Sequence, residues 1–163
     1  YLNKKPESIT ACIMDRPRHK KIITELNQIG VKIKLITDGD VSGALLVTNN
    51  KYNVDIFLGI GGGPEGVLAA AALETFKCFF QGRFLFDTVE DKMRANKMGI
   101  SDLTKKYELN EIVRGDSIFC ATGITTGDLV SGIKVENNEF VSETLVTHMS
   151  SGIKKVIKKV VNR

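Results

Sequence analysis

Short apolar runs alternate with helical patterns through the first half of the chain, and that rhythm restricts the fold more than any other feature. Residues 9–14 are an apolar run. After polar residues, a helical pattern sets Ile22, Ile23, Leu26 and Ile29 on one face, stopped by Gly30. Val31, Ile33, Leu35 and Ile36 mark a second strand, and Val41, Ala44, Leu45 and Val47 a second helix. Residues 54–60 read as a third strand and 64–76 as an alanine-rich third helix. Strands separated by helices run parallel, so the expected class is α/β. A further apolar stretch covers 79–86, and a helix over 89–98 ends at Gly99. Past residue 110 the texture changes to short strands at 117–121, 132–135, 140–147 and 153–157. Turns at Asn137-Asn138 and Ser150-Ser151-Gly152 join the last three. One mixed sheet is expected, parallel first and antiparallel late, in a single domain over 1–163. Residues 154–160 fit a helix as well as a strand.

Composition removes several functional classes. The longest unbroken apolar run, residues 67–73, is far short of the roughly 20 residues of a bilayer span, so no membrane partner is expected. No basic-then-apolar leader opens the sequence, which implies a cytoplasmic protein. The first residue, Tyr1, is not a methionine, as expected for a trimmed chain or a piece of a longer polypeptide. The net charge of +4 comes from one place: residues 151–163 hold Lys154, Lys155, Lys158, Lys159 and Arg163 and no acid. Without them the body is near neutral. Such a tail reads as a solvated face or a polyanion contact. With no tryptophan and no aromatic–basic interleaving, no nucleic-acid partner is expected. Cys12, Cys78 and Cys120 form no C-x-x-C pair and sit among apolar neighbours, as small core residues do. With only His19 and His148 as partners, neither a cysteine nucleophile nor a zinc site is expected.

In an open parallel sheet, ligands bind outside the carboxyl ends of the strands. Three loops share that edge here: Asp15-Arg16-Pro17-Arg18-His19, Thr37-Asp38-Gly39-Asp40, and Gly59-Ile60-Gly61-Gly62-Gly63-Pro64-Glu65-Gly66. Singly, each has a plain reading. Asp15 and Asp38 are ordinary N-caps, Pro17 and Pro64 suit a first helical turn, and Asp40 and Glu65 complement a helix dipole. Together they supply forked guanidinium groups suited to phosphate, carboxylates, and glycines that let a ligand approach the backbone. That combination points to a phosphorylated, hydroxyl-bearing small molecule.

Gly61, Gly63 and Gly66 also satisfy G-x-G-x-x-G after a strand, with Asp87 further on, which is the literal dinucleotide fingerprint. Glu65 argues against a pyrophosphate there, because like charges ~4 Å apart repel by about 4 kcal/mol near a surface. Two βα units also precede the motif. A divalent metal held by Glu65 and facing phosphate turns that repulsion into a bridge.

These loops, in this order and approximate spacing, resemble the class II fructose-1,6-bisphosphatases. Lys97-Met98-Gly99-Ile100, Val113-Arg114-Gly115-Asp116, Ala121-Thr122-Gly123-Ile124-Thr125 and Gly127-Asp128-Leu129 extend the likeness over nearly the whole chain, which corresponds to the C-terminal half of that family. The resemblance implies the lithium-sensitive sugar and inositol phosphatase superfamily, with a layered α/β/α/β/α architecture. It implies hydrolysis of fructose 1,6-bisphosphate to fructose 6-phosphate with Mg²⁺ or Mn²⁺, as in gluconeogenesis and glycerol metabolism; some cyanobacterial members also take sedoheptulose 1,7-bisphosphate. It further implies that Arg16, Pro17, Arg18, Asp38, Gly39, Asp40 and Gly62 contact the sugar bisphosphate. Glu65 matches the one metal-binding, catalytic carboxylate that this half supplies. The other metal ligands would lie in an N-terminal half, the expected partner, within a homo-oligomer. Gly63 stands where alanine is usual, and Leu85-Phe86-Asp87-Thr88 replaces a more basic, proline-containing segment. A sugar-phosphate sensor without catalysis and an NAD-binding oxidoreductase domain are the alternative readings.

Overall fold

Described over residues 2–162, a computed structural model resolves the first apolar run into β1 (Thr10–Met14). After a 3-10 turn at Pro17–His19 come α1 (Lys20–Gln28), β2 (Lys32–Ile36), α2 (Asp40–Leu45), β3 (Ile56–Phe57) and α3 (Gly63–Thr75). β1 pairs in parallel with both β2 and β3, giving the order β2-β1-β3. The predicted third strand is shorter than 54–60, because the glycines that follow carry no side chains to pack against the sheet. The Leu58 N–H still donates to the Cys12 carbonyl, and Asp55 anchors the other end of the strand. Its carboxylate accepts from the Thr10 N–H and pairs with Lys4.

The second half contains β4 (Gln81–Arg83), α4 (Val89–Lys97), β5 (Lys106–Glu108) and α5 (Leu109–Ile112). β6 (Ile118–Thr122), β7 (Lys134–Glu136), β8 (Glu139–His148) and β9 (Lys154–Asn162) follow. The sequence pattern does not announce β4, β5 or α5, which are too short to show a period. Thr88 caps α4, accepting from the Asp91 N–H, and Asp91 reciprocates, which fixes that helix start.

The α/β class holds, but the expected single mixed sheet is three separate ones. β4–β5 is an antiparallel pair, and β8 is flanked by β6 and β7 on one side and by β9 on the other, all antiparallel. Residues 154–160 are strand, not helix. The β-branched Val156, Ile157, Val160 and Val161 favour a pleated surface, and the turn ending at Gly152 (φ 67°) lays them along the whole of β8. The Asn137-Asn138 turn forms as read, both residues having positive φ.

Four layers result. Ala11, Ile13 and Val31 meet Ile22, Ile23 and Leu26 of α1 on one face of the parallel sheet. Cys12 turns to the other face, beside Leu46 and Val54. α2 and α3 form the next layer, where Ala44, Leu45, Ala69, Ala72 and Leu73 close against Phe119 and Leu145 of the antiparallel sheet. Full burial of a side chain such as Leu45 is worth about 1.5–3 kcal/mol, so this central layer ties the two sheets together. Ile29, expected on the buried face of α1, is half-exposed as the helix C-cap. Cys120, expected in the core, is exposed. It lies on the β6 face turned away from α3, because strand side chains alternate. Among the described residues, no helix is long and apolar enough to cross a membrane.

Candidate functional site

The parallel pairing puts the carboxyl ends of β1, β2 and β3 on one edge, and the three loops leave from there. β1 is central, so the Asp15–His19 loop lies between the other two.

His19 fastens that arrangement. Its ring is fully buried. Nδ1 lies 2.8 Å from the Met14 carbonyl, and the Ile60 N–H donates to Nε2 at 2.8 Å. Those contacts assign the tautomer: Nδ1 carries the proton and Nε2 accepts. One imidazole therefore holds the arginine loop to the glycine loop. Arg18 adds a second tie, its Nε donating to the Ile60 carbonyl at 2.5 Å. Arg16 is half-buried, with Nη1 on the Asp15 carbonyl at 3.0 Å. Each guanidinium has five N–H donors, so both retain donors for an anion. Pro17 opens the 3-10 turn between them.

In the Thr37–Asp40 loop, Gly39 has a left-handed backbone (φ 78°) and is the N-cap of α2, which starts at Asp40. Such a conformation suits glycine because it has no Cβ. Asp38 Oδ1 accepts from the Gly39 N–H and Asp40 Oδ1 from the Val41 N–H, at 2.8 and 2.9 Å. Each carboxylate thus uses one oxygen locally. Asp40 Oδ2 lies 3.6 Å from where a Cβ on Gly61 would stand, so the second loop also reaches the third.

At the start of α3, the Glu65 carboxylate folds back over Gly62. A Cβ on Gly62 would come within 2.3 Å of Glu65 Oε2. Glycine here makes room for that carboxylate, since Gly62 itself has an ordinary extended backbone (φ −69°, ψ 150°). Glu65 therefore covers the helix N-terminus that a pyrophosphate would need, which disfavours the dinucleotide reading of these glycines.

A cleft of about 440 Å³ opens beside Asp38, lined by Ile36, Ser42, Thr126, Gly127 and Asp128 among others. Of the sequence-predicted residues, only Asp38 lines it. Arg16, Arg18, Asp40, Gly62 and Glu65 sit along the neighbouring strand-end edge. Thr126–Asp128 arrive from the loop after β6. Asp128 pairs with Lys34 at 3.6 Å, and its carbonyl accepts from the Tyr52 hydroxyl. Sequence reasoning noted the Gly127-Asp128-Leu129 motif but gave it no role. Neither did it assign one to His19, whose only signal was its place after the second arginine.

No activated thiol is present at this edge. Burial pushes the Cys12 thiol up, further from thiolate. For a divalent ion, Glu65 offers a hard carboxylate oxygen of the kind that suits Mg²⁺ or Mn²⁺. Among the described residues, however, no three His, Cys, Asp or Glu side chains gather to hold one.

The model of the family described as bacterial fructose-1,6-bisphosphatase, glpX-encoded, matches residues 1–161. This chain belongs to that family. Similar proteins in Trichodesmium erythraeum (strain IMS101) and Synechococcus sp. (strain JA-3-3Ab) are each 36% identical, and one in Synechococcus sp. (strain JA-2-3B'a(2-13)) is 38% identical. All three are named D-fructose 1,6-bisphosphatase class 2/sedoheptulose 1,7-bisphosphatase. Each match covers 92% of this chain and 47% of the relative. The chain thus spans about half the length of the family members it matches, consistent with a C-terminal half.

Proposed function

We infer that this chain is the sugar-phosphate-binding half of a metal-dependent class II fructose-1,6-bisphosphatase, which releases the 1-phosphate of fructose 1,6-bisphosphate. The observation that carries this reading is the cross-tied edge itself, where His19 and Arg18 fix the arginine loop against the glycine loop beside Asp40 and Glu65.

Arg16 and Arg18 neutralise phosphate through charge-assisted hydrogen bonds. Asp38 and Asp40 accept from sugar hydroxyls with their unused oxygens, and Gly62 admits the ligand close to the backbone. Glu65, with ligands from the rest of the polypeptide, holds Mg²⁺ or Mn²⁺. When bound, that ion supplies Lewis-acid polarisation of the phosphoryl group and an activated water. In the overall reaction, water oxygen bonds to phosphorus as the bond to sugar O1 breaks, and O1 leaves protonated. With no activated nucleophile at the edge, direct hydrolysis fits better than a phosphoenzyme.

In a second reading, this chain alone binds sugar phosphate without catalysis; among the described residues Glu65 has no two further His, Cys, Asp or Glu side chains gathered with it. One pair of assays separates them. The 163-residue chain with Mn²⁺ should bind fructose 1,6-bisphosphate yet turn it over far below the roughly 1 s⁻¹ of slow ordinary enzymes. Joined to the half that completes the relatives, it should release phosphate. Turnover by the chain alone overturns the division of labour. Failure of the joined protein favours the sensor.

A further inference from the structure

β9 is a nine-residue edge strand, exposed along its described length. Long bare edges are unusual, since unpaired N–H and C=O groups recruit other strands. The alternation of β9 divides its lysines between two faces. Lys154 and Lys158 point to the α3 side, where each has a neighbour in its own chain. The Lys154 ammonium sits over the Phe76 ring, and Lys158 lies opposite Glu143 and lowers the pKa of that carboxyl, though less than the backbone N–H of Ser131 does. Lys155 and Lys159 point outward with Ile157 and Val161, and among the described residues neither forms an ion pair. The same outer face carries Ile118, Val135 and Phe140, which are 66%, 57% and 40% exposed.

The surface area shows how much is uncovered. A self-contained globule of this mass exposes about 8,000 Å², whereas this chain exposes 10,942 Å². The excess, on the order of 3,000 Å², is at least what one partner contributes to an obligate interface, roughly 1,000–2,500 Å² a side.

A second copy is a poor occupant of the edge. Antiparallel pairing of β9 with itself about a two-fold axis normal to the sheet sets lysine opposite lysine in the registers of greatest overlap. A register centred on Ile157 opposes Lys155 to Lys159, and one centred on Lys158 opposes that residue to its own counterpart. Like charges directly opposite are destabilising. A polyanion lying on the outer face would meet two lysines and leave the aliphatic and aromatic side chains wet.

We propose that β9 is completed by an extended strand from the half of the polypeptide that the family members carry beyond this region. That strand presents acids opposite Lys155 and Lys159 and aliphatic side chains opposite Ile157 and Val161, extending the antiparallel sheet. The proposal rests on the reading that the other half completes the catalytic site, and it names where the two halves join.

The test pairs this chain with the half of the Trichodesmium erythraeum relative that lies outside the match, produced together. The halves should co-purify, with amides 154–161 gaining hydrogen-exchange protection. Lys155→Glu/Lys159→Glu should weaken association by tenfold or more, while Lys92→Glu on α4 should not. If the double charge reversal fails to fold, judged by circular dichroism, Lys155→Gln/Lys159→Gln should still weaken association measurably. Absence of association, association without protection of β9, or insensitivity to both double variants overturns the proposal. So does a β9-protected homodimer of this chain alone. Assembly without hydrolysis of fructose 1,6-bisphosphate would sink the phosphatase reading while leaving the strand pairing intact.

Discussion

The parallel sheet is covered on both faces by helices of its own chain, α1 on one and α2 on the other. The antiparallel sheet is covered on one face only, with Ile118, Val135 and Phe140 bare on the other. The same contrast holds for polar groups. At the parallel end, loops far apart in sequence are tied to each other through His19 and Arg18. At the antiparallel end, the polar contacts are mostly between residues of neighbouring strands and turns. One sheet is covered by its own chain, while the other keeps an uncovered face. The first 76 residues hold the three polar loops, yet α2 and α3 still bury against Phe119 and Leu145 of the later sheet.

The contrast would break hardest at Glu65. In the assembled enzyme, Glu65→Gln should lower kcat by about 100-fold or more with the melting temperature unchanged. The amide keeps the shape but loses the charge that holds a divalent cation. Unchanged turnover at limiting Mn²⁺ would reduce Glu65 to a helix-dipole partner. Arg16→Ala should raise KM for fructose 1,6-bisphosphate about tenfold or more, since a charge-assisted hydrogen bond is worth roughly 1.5–3 kcal/mol. No change in KM for this variant or for Arg18→Ala would leave the loop as a mere helix start.

Sharpening the contrast needs a stability measurement in each region. His19→Ala leaves the Met14 carbonyl and the Ile60 N–H without their partner, at about 1–3 kcal/mol apiece. It should lower the melting temperature by several degrees, at roughly 2–4 °C per kcal/mol for a chain of this size. The smallest effect is expected in the antiparallel region. Asp116 accepts from the Ser150 hydroxyl and backbone N–H and contacts His148 Nε2 at 2.7 Å. The Ser150 hydroxyl first, then His148, holds its carboxyl below the usual range. Because the folded value is depressed, the stabilisation is complete above the unfolded carboxylate pKa of about 4 and disappears as pH falls through the folded value. The melting-temperature advantage of the wild type over Asp116→Asn should therefore shrink as pH falls below about 4. A difference that stays constant down to about pH 2 would show that Asp116 acts without its charge.

What the sequence made legible follows from where periodicity is strong. α1, α3 and α4 are long enough for a helical stripe, and β1 and β2 for an apolar run, so they emerged nearly to the residue. The split into separate sheets was not legible, because patterning states how a strand is buried and not which strand lies beside it. β9 was ambiguous for a similar reason, since paired lysines and paired aliphatics fit either period. At the site, the loops were found because their composition is costly for plain turns. The ties between them were hidden. The Ile60 backbone leaves no mark in sequence, and Thr126–Asp128 reach Asp38 only through the tertiary fold.

The imidazole of His19 also sets a dimension. Regular pairing between β1 and β3 stops at Cys12 and Phe57, apart from one further bond from Leu58. Beyond that point the two chains diverge, and a side-chain ring replaces the next rung of the ladder. A peptide-to-peptide bond would have drawn the strand ends together and closed the gap between them. A rigid aromatic spacer with an acceptor at one end and a donor at the other keeps them joined at a fixed separation. The Met14 carbonyl and the Ile60 N–H are thus held one imidazole and two hydrogen bonds apart, and a shorter amide side chain at position 19 could not span them in the same way.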